Sequence, residues 1–143
     1  MNVQIILSSK GTGVTTIEPT ASVADAVKLL TGRRIGAVVV TGPEQRVIGI
    51  VSERDVVRAF GTHGPAALEL PLTDVMTRRV ETCVPSDSIA SIMERMTAGK
   101  FRHVPVVEQG RLTGIVSIGD VVKYRLEEME REQAALRDYI QTA

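Results

Sequence analysis

Tryptophan is absent from these 143 residues, phenylalanine and tyrosine occur twice each, and there is a single cysteine, Cys83. One cysteine excludes an intramolecular disulfide framework and fits a reducing compartment. It also leaves no metal-ligand spacing, because the only histidines, His63 and His103, stand far apart in the sequence. An excess of one charge is missing as well: 17 Lys and Arg balance 17 Asp and Glu, for a net charge of zero. Nothing in that balance holds a polyanion without specificity, so nucleic acid is not expected as a partner. No apolar run approaches membrane-spanning length, and the apolar stretch in Met1 to Gly13 is too short for a signal peptide, which together predict a cytoplasmic protein with no membrane partner.

Phosphate-binding loops of the familiar kinds are lacking too. Gly11-Thr12-Gly13 precedes an extended segment instead of following one into a helix, and Thr16 stands where a third glycine belongs, so it reads as a flexible loop. No Gly-Lys-Thr loop is present. What the chain does have is 43% hydrophobic residues, mostly Val, Ile, Leu and Ala, the composition of aliphatic helices packed on a sheet. Its length suits one compact unit or two small repeats sharing a core.

Self-comparison decides for two repeats. The stretch from Ile17-Glu18-Pro19 to Leu30 recurs as Cys83-Val84-Pro85 to Met96, an offset of 66 (85 − 19). Val47-Ile48-Gly49-Ile50-Val51-Ser52-Glu53-Arg54-Asp55 recurs as Leu112-Thr113-Gly114-Ile115-Val116-Ser117-Ile118-Gly119-Asp120, at 65 (120 − 55). The residue lost falls in the turn between them. Each copy reads as a short strand ending at Pro19 or Pro85, then a helix capped by Ser22 or Ser88, with Val23, Ala26, Val27 and Leu30 on its apolar face in the first copy. Two apolar runs follow, Ile35 to Thr41 and Val47 to Ser52, or Phe101 to Val107 and Leu112 to Ser117, joined by turns at Gly42-Pro43 and Gln109-Gly110. A second helix opens at Ser52 or Ser117.

The expected fold is therefore α/β (α+β): two β-α-β-β-α units over 1–62 and 73–126, a Gly-, Pro- and Ala-rich linker at 63–72, and a helical extension over 127–143. Neither copy buries its sheet face alone, and packing the two about a pseudo-twofold axis leaves two related clefts. In the extension, Val122, Leu126, Met129, Gln133, Leu136 and Ile140 follow the 4-3-4-3-4 spacing of a coiled-coil seam, which predicts a helix packed on a second subunit in a homodimer.

The chemistry concentrates at the openings of the second helices, where a serine is followed three residues later by a carboxylate. Free N–H groups and the dipole of a helix N-terminus suit a phosphate, and the carboxylate can accept both hydroxyls of a ribose. The same Ser-x-x-Asp spacing is also a plain capping box worth about 1 kcal/mol. Ser22 to Asp25 shows it as well, so spacing alone favours capping.

The whole arrangement resembles the tandem CBS-domain family, whose paired repeats form a Bateman module. The resemblance rests on Thr16-Ile-Glu-Pro19, Ile35-Gly-Ala-Val-Val-Val40 and Gly49-Ile-Val-Ser-Glu-Arg-Asp55, matched by Thr82-Cys-Val-Pro85, Arg102-His-Val-Pro-Val-Val107 and Gly114-Ile-Val-Ser-Ile-Gly-Asp120. It implies a regulatory module that catalyses no reaction and binds AMP, ADP or ATP, with NAD or S-adenosylmethionine as further ligands, and signals to a regulated protein. Asp55 and Asp120 would hold ribose, with Ser52 and Ser117 near the phosphate. Segments around Thr16, Ile17, Ile35, Gly36 and Ala37, or around Thr82 and Phe101 to Val104, would enclose the adenine.

The copies differ where specificity would be set. Arg102-His103-Val104-Pro105 replaces an apolar run in the first copy; Arg102 and His103 either offer charge to a phosphate or are, respectively, a solvated surface charge and a hydrogen-bonded structural histidine, while Arg54 has only Gly119 as its counterpart. Of the basic pairs Arg33-Arg34 and Arg78-Arg79, at most one member each can face a cleft, because neighbouring residues point apart. Cys83 occupies the position of Ile17 and reads as a small buried hydrophobe instead of a nucleophile. The rival to a nucleotide sensor is a ligand-free adaptor that dimerises and acts by contact. The two differ in whether Asp55 or Asp120 faces an open cleft or only caps its helix.

Overall fold

A computed structural model describes residues 1–142. Helix α1 (Val3–Lys10) is followed by strand β1 (Thr16–Ile17), helix α2 (Val23–Arg33), strands β2 (Ala37–Thr41) and β3 (Val47–Ser52) and helix α3 (Glu53–His63). The second copy supplies helix α4 (Ile89–Gly99), strands β4 (His103–Glu108) and β5 (Arg111–Ser117) and the long helix α5 (Ile118–Thr142). Among the described residues no helix is long and apolar enough to cross a membrane.

The capping residues act as their chemistry dictates. Ser22 and Ser52 each accept from the backbone N–H three residues on, while Asp25 and Asp55 reach back to the serine N–H, closing two capping boxes. Ser88 caps α4 through the N–H of Ser91. Both first helices end in a non-glycine residue in the left-handed region, Arg34 (φ 52°) and Lys100 (φ 57°), which are 66 positions apart (100 − 34). The hairpin of the second copy turns through Gln109 (φ 53°) and Gly110 (φ 79°), a two-residue loop with both φ positive. In the first copy, the three-residue 3-10 turn Pro43–Gln45 takes its place, which accounts for the shift in offset.

Strands β1, β2 and β3 form one sheet, with β1 parallel to β2 and β2 antiparallel to β3. The second sheet is β4 antiparallel to β5, and Cys83 adds one parallel bridge to Val106 where the first copy has its β1. Expected strand edges shift slightly: Ile35 and Phe101 precede their strands, because the left-handed residue before each must first turn the chain. The linker is more ordered than its composition suggests. Helix α3 runs to His63, and Gly64–Glu69 and Leu72–Asp74 form 3-10 turns.

Two cores result, and each is completed by the segment that precedes the other copy. Leu72 and Met76 pack with Val23, Ala26, Leu30, Val38, Val40 and Val51 of the first copy. Helix α1 gives Val3, Ile6 and Leu7 to the second core, against Ile89, Ile92, Met96, Val104, Val106 and Val116. The exchange is symmetric in detail: a side chain at Gly49 would strike Met76, and one at Gly114 would strike Leu7. Sequence reading found no helix in residues 3–10, where VQIILSSK lacks a clear apolar period; tertiary burial makes it helical.

Candidate functional site

Among the described residues Asp55 is the only polar or charged one in the buried set, 5% exposed, and both of its carboxylate oxygens accept hydrogen bonds. Oδ2 accepts from the Ser52 backbone N–H (2.8 Å) and hydroxyl (3.0 Å), and Oδ1 accepts from the Thr77 hydroxyl (3.0 Å). The Arg58 guanidinium stands 3.7 Å from Oδ1. Thr77 is held there by two backbone hydrogen bonds with Ile50, so the segment entering the second copy is stitched to the edge of β3. Asp55 thus caps α3 and also faces a cavity.

That cavity, 530 Å³ in volume, lies between the repeats at the N-terminus of α3. Its floor is Ser52, Asp55 and Thr77, and its apolar walls are Ile50, Val80 and Phe101. Five basic side chains border it, Arg54, Arg58, Arg79, Lys100 and Arg102, against three carboxylates, Glu53, Asp55 and Glu81. A local excess of two positive charges (5 − 3) therefore sits in a chain whose net charge is zero. Arg54 also donates to the Lys100 carbonyl (3.2 Å), which ties α3 of one repeat to the helix end of the other.

His103 is placed at the junction of the repeats. A Cβ on Gly36 would lie 3.0 Å from both His103 Cε1 and Glu53 Oε1, so any side chain there would make these two give way by a few tenths of an ångström. Burial pushes the His103 pKa down, and nearby Lys10 and Arg102 reinforce that against the opposing pull of Glu53 and Asp120. The imidazole is therefore neutral at pH 7.

The equivalent position in the second copy differs. Asp120 Oδ2 accepts from the Ser117 N–H (2.9 Å) and hydroxyl (3.0 Å), but also from the Lys10 ammonium at 2.7 Å. Lys10 further donates to the Ile115 carbonyl (3.0 Å). Burial raises the Asp120 pKa, and the Lys10 and Ser117 hydrogen bonds outweigh it, leaving the carboxyl below its ordinary value.

Of the residues expected at a site, Gly36, Ser52, Arg54, Asp55, Arg102 and His103 come together around the cavity. Ser117 and Asp120 come together with Lys10 at the start of α5. The remaining seven lie outside the cavity for identifiable reasons. Ala37 and Val104 are buried, Ile17 and Ile35 pack against the first core, and Thr16 pairs with Val39 in the sheet. The Thr82 carbonyl accepts from Arg95 and the Pro105 carbonyl from the Cys83 N–H. Sequence reading did not assign Thr77, Val80, Glu81, Arg58 or Lys100 to the site. The signal for Thr77 was its place at the start of a repeat, since chain exchange brings each entry segment to the other copy. Of Arg78-Arg79, one member lines the cavity: Arg79 faces it, while Arg78 donates to the Thr73 carbonyl. Cys83 is 3% exposed and its thiol is pushed up to about 11 by burial, with Asp87 adding to the effect, so it is protonated at neutral pH.

Comparison with known proteins agrees with this architecture. The family model for the CBS domain matches residues 11–62 and again 72–127. A mitochondrial CBS domain-containing protein of Arabidopsis thaliana is 36% identical over 124 residues, 84% of this chain and 60% of the plant protein, so the chain spans about three fifths of that relative. The crystal structure of a CBS-domain containing protein from Agrobacterium tumefaciens is 46% identical, with a TM-score of 0.84 over 87% of this chain and 99% of that one. A CBS domain protein of Pyrobaculum aerophilum, crystallised with AMP, is 27% identical, with a TM-score of 0.75 over 84% of this chain and 89% of that one. Repeat, fold and family model coincide over most of the sequence, and the chain belongs to the CBS-domain family as a tandem pair.

Proposed function

We propose that this protein is a non-catalytic sensor of adenine nucleotides that binds its ligand in the cavity at Asp55. The observation that carries the reading is the excess of cations, five against three carboxylates, around a helix N-terminus, in a 530 Å³ cavity of a chain whose net charge is zero. In this reading the ribose hydroxyls donate to Asp55 Oδ1, displacing or sharing the Thr77 hydroxyl. The base lies among Ile50, Val80 and Phe101, and the phosphate meets Arg54, Lys100 or Arg102. The AMP complex of the Pyrobaculum relative supports the ligand class. AMP is the simplest occupant, and ADP, ATP or NAD would extend further along the basic rim.

Lys10 already satisfies Asp120, so the second cleft is the poorer site. A nucleotide at Asp55 touches both repeats and fixes their relative angle, and a regulated protein reads that angle from a homodimer. A ligand of roughly 23 heavy atoms at about 0.3 kcal/mol per atom gives about 7 kcal/mol, a Kd on the order of 10 μM.

Equilibrium dialysis against AMP, ADP, ATP, NAD and S-adenosylmethionine tests the ligand, with Arg102→Ala as control. Saturable binding of at least one adenine nucleotide, weakened about tenfold in the variant, is the expected result. No retention of any of the five rejects the sensor. X-ray scattering with and without the tightest ligand tests the signal, which is rejected if the two curves superimpose.

A further inference from the structure

From Met129 to Thr142 every described residue of α5 is exposed, yet the segment is a continuous helix. Fourteen residues so exposed, with Arg131 reaching the Met1 sulfur at 3.4 Å, are marginal as a helix in water unless an apolar face is covered. Such a face exists and is not the one that packs on the chain's own repeat. Val121 and Tyr124 are buried against the second copy. Val122, Leu126, Met129, Leu136 and Ile140 are exposed, the last two at 60% and 65%. At about 100° per residue they form one stripe with Gln133, turned away from Val121 and Tyr124 by roughly a quarter turn or more.

The charges flanking the stripe identify what covers it. With Leu126, Gln133 and Ile140 at a and Val122, Met129 and Leu136 at d, the g positions are Arg125, Glu132 and Tyr139, and the e positions are Lys123, Glu130 and Arg137. In a parallel, in-register pair each g residue meets the e residue five positions on in the other helix. Arg125 then faces the partner's Glu130, and Glu132 faces the partner's Arg137, each made twice by symmetry. An antiparallel pair would set Glu130 against Glu130, Glu132 against Glu132, and Lys123 against Arg137. Every flanking contact between charged residues is attractive in one arrangement and repulsive in the other.

We infer that α5 forms a parallel, in-register two-stranded coiled coil with α5 of a second copy of this chain. The inference rests on the homodimer of the proposed function and not on its ligand. Pairing in parallel places the two CBS pairs side by side at the same end of the coil. Arg125, which bonds Glu128 of its own helix at 3.2 Å, can turn to the partner's Glu130.

Sedimentation of the full chain, with Leu136→Lys and Ile140→Cys variants, tests the inference. The wild type should be dimeric at micromolar concentration, and Leu136→Lys should raise the dimer dissociation constant at least a hundredfold while its repeats still unfold cooperatively on heating. Under mild oxidation Ile140→Cys should cross-link to itself, since buried Cys83 does not compete. Glu132→Arg and Arg137→Glu should each weaken the dimer about tenfold, and their equimolar mixture should recover it. A monomeric wild type, a dimer untouched by Leu136→Lys, or a dimer that forms no bridge at position 140 overturns the pairing. Failure of AMP to bind leaves these readouts unchanged, so the two proposals fail separately.

Discussion

The ammonium of Lys10 lies 2.7 Å from Asp120 Oδ2, the oxygen whose counterpart on Asp55 accepts from the Ser52 N–H and hydroxyl but from no cation. One N-terminal lysine therefore breaks the chemical equivalence of the two Ser-x-x-Asp helix starts that the repeat supplies. Because Lys10 is the last residue of α1, the contact also pins that helix to the second core.

Lys10→Ala should release Asp120 and convert the second cleft into a nucleotide site. Stoichiometry by titration should rise from one AMP per chain toward two, at a stability cost of about 0.5–1 kcal/mol for a partly exposed pair. The pair's contribution depends on an ionised Asp120, whose folded pKa lies below its ordinary 3.8. It is present above pH 4 and lost as pH falls through the lowered value, so the stability gap between wild type and Lys10→Ala should close in acid. A gap that does not narrow as pH is taken down from 3.8 contradicts the assignment.

Gly36→Ala tests the contact between the copies. The new methyl would stand 3.0 Å from His103 Cε1 and from Glu53 Oε1, so both side chains must shift at the rim of the cavity. AMP affinity should fall several-fold with little loss of thermal stability. Unchanged affinity would place the nucleotide away from the His103 rim.

Much of the fold was legible because its signals are local. Ser52 and Asp55 announce a capping box by spacing, and Gly49 and Gly114 mark matching strands. The site was legible only in part, for a physical reason. More than half of the residues lining the Asp55 cavity come from 77–81 and 99–103, and no local pattern states which copy they will face. Nor does Lys10 carry any sequence sign of its ion pair, since 110 residues separate it from Asp120. What sequence did show was that Asp55 and Asp120 can either cap or face a cleft; the structure gives Asp55 both roles.

Arg34 and Lys100 occupy equivalent left-handed positions, which cost a residue with a Cβ about 1 kcal/mol. Arg34→Gly should therefore raise stability in urea by about 0.5–1 kcal/mol and leave AMP binding alone. Lys100→Gly should gain similarly in stability but lose affinity, since it removes a cation from the cavity. Equal effects of the two on binding would contradict the assignment of Lys100.

Cys83 should be inert in the folded protein. With its thiol pushed up to about 11 by burial, it should react with an aromatic disulfide reagent at pH 8 only on unfolding, at a rate that tracks denaturant. Rapid stoichiometric labelling of native protein would show that the second core opens readily.

Isothermal titration of AMP into wild type, Asp55→Ala and Asp120→Ala tests the central claim most directly. The account predicts about one AMP per chain with a Kd on the order of 10 μM, lost in Asp55→Ala and retained in Asp120→Ala. Binding that survives in Asp55→Ala and disappears in Asp120→Ala would contradict it.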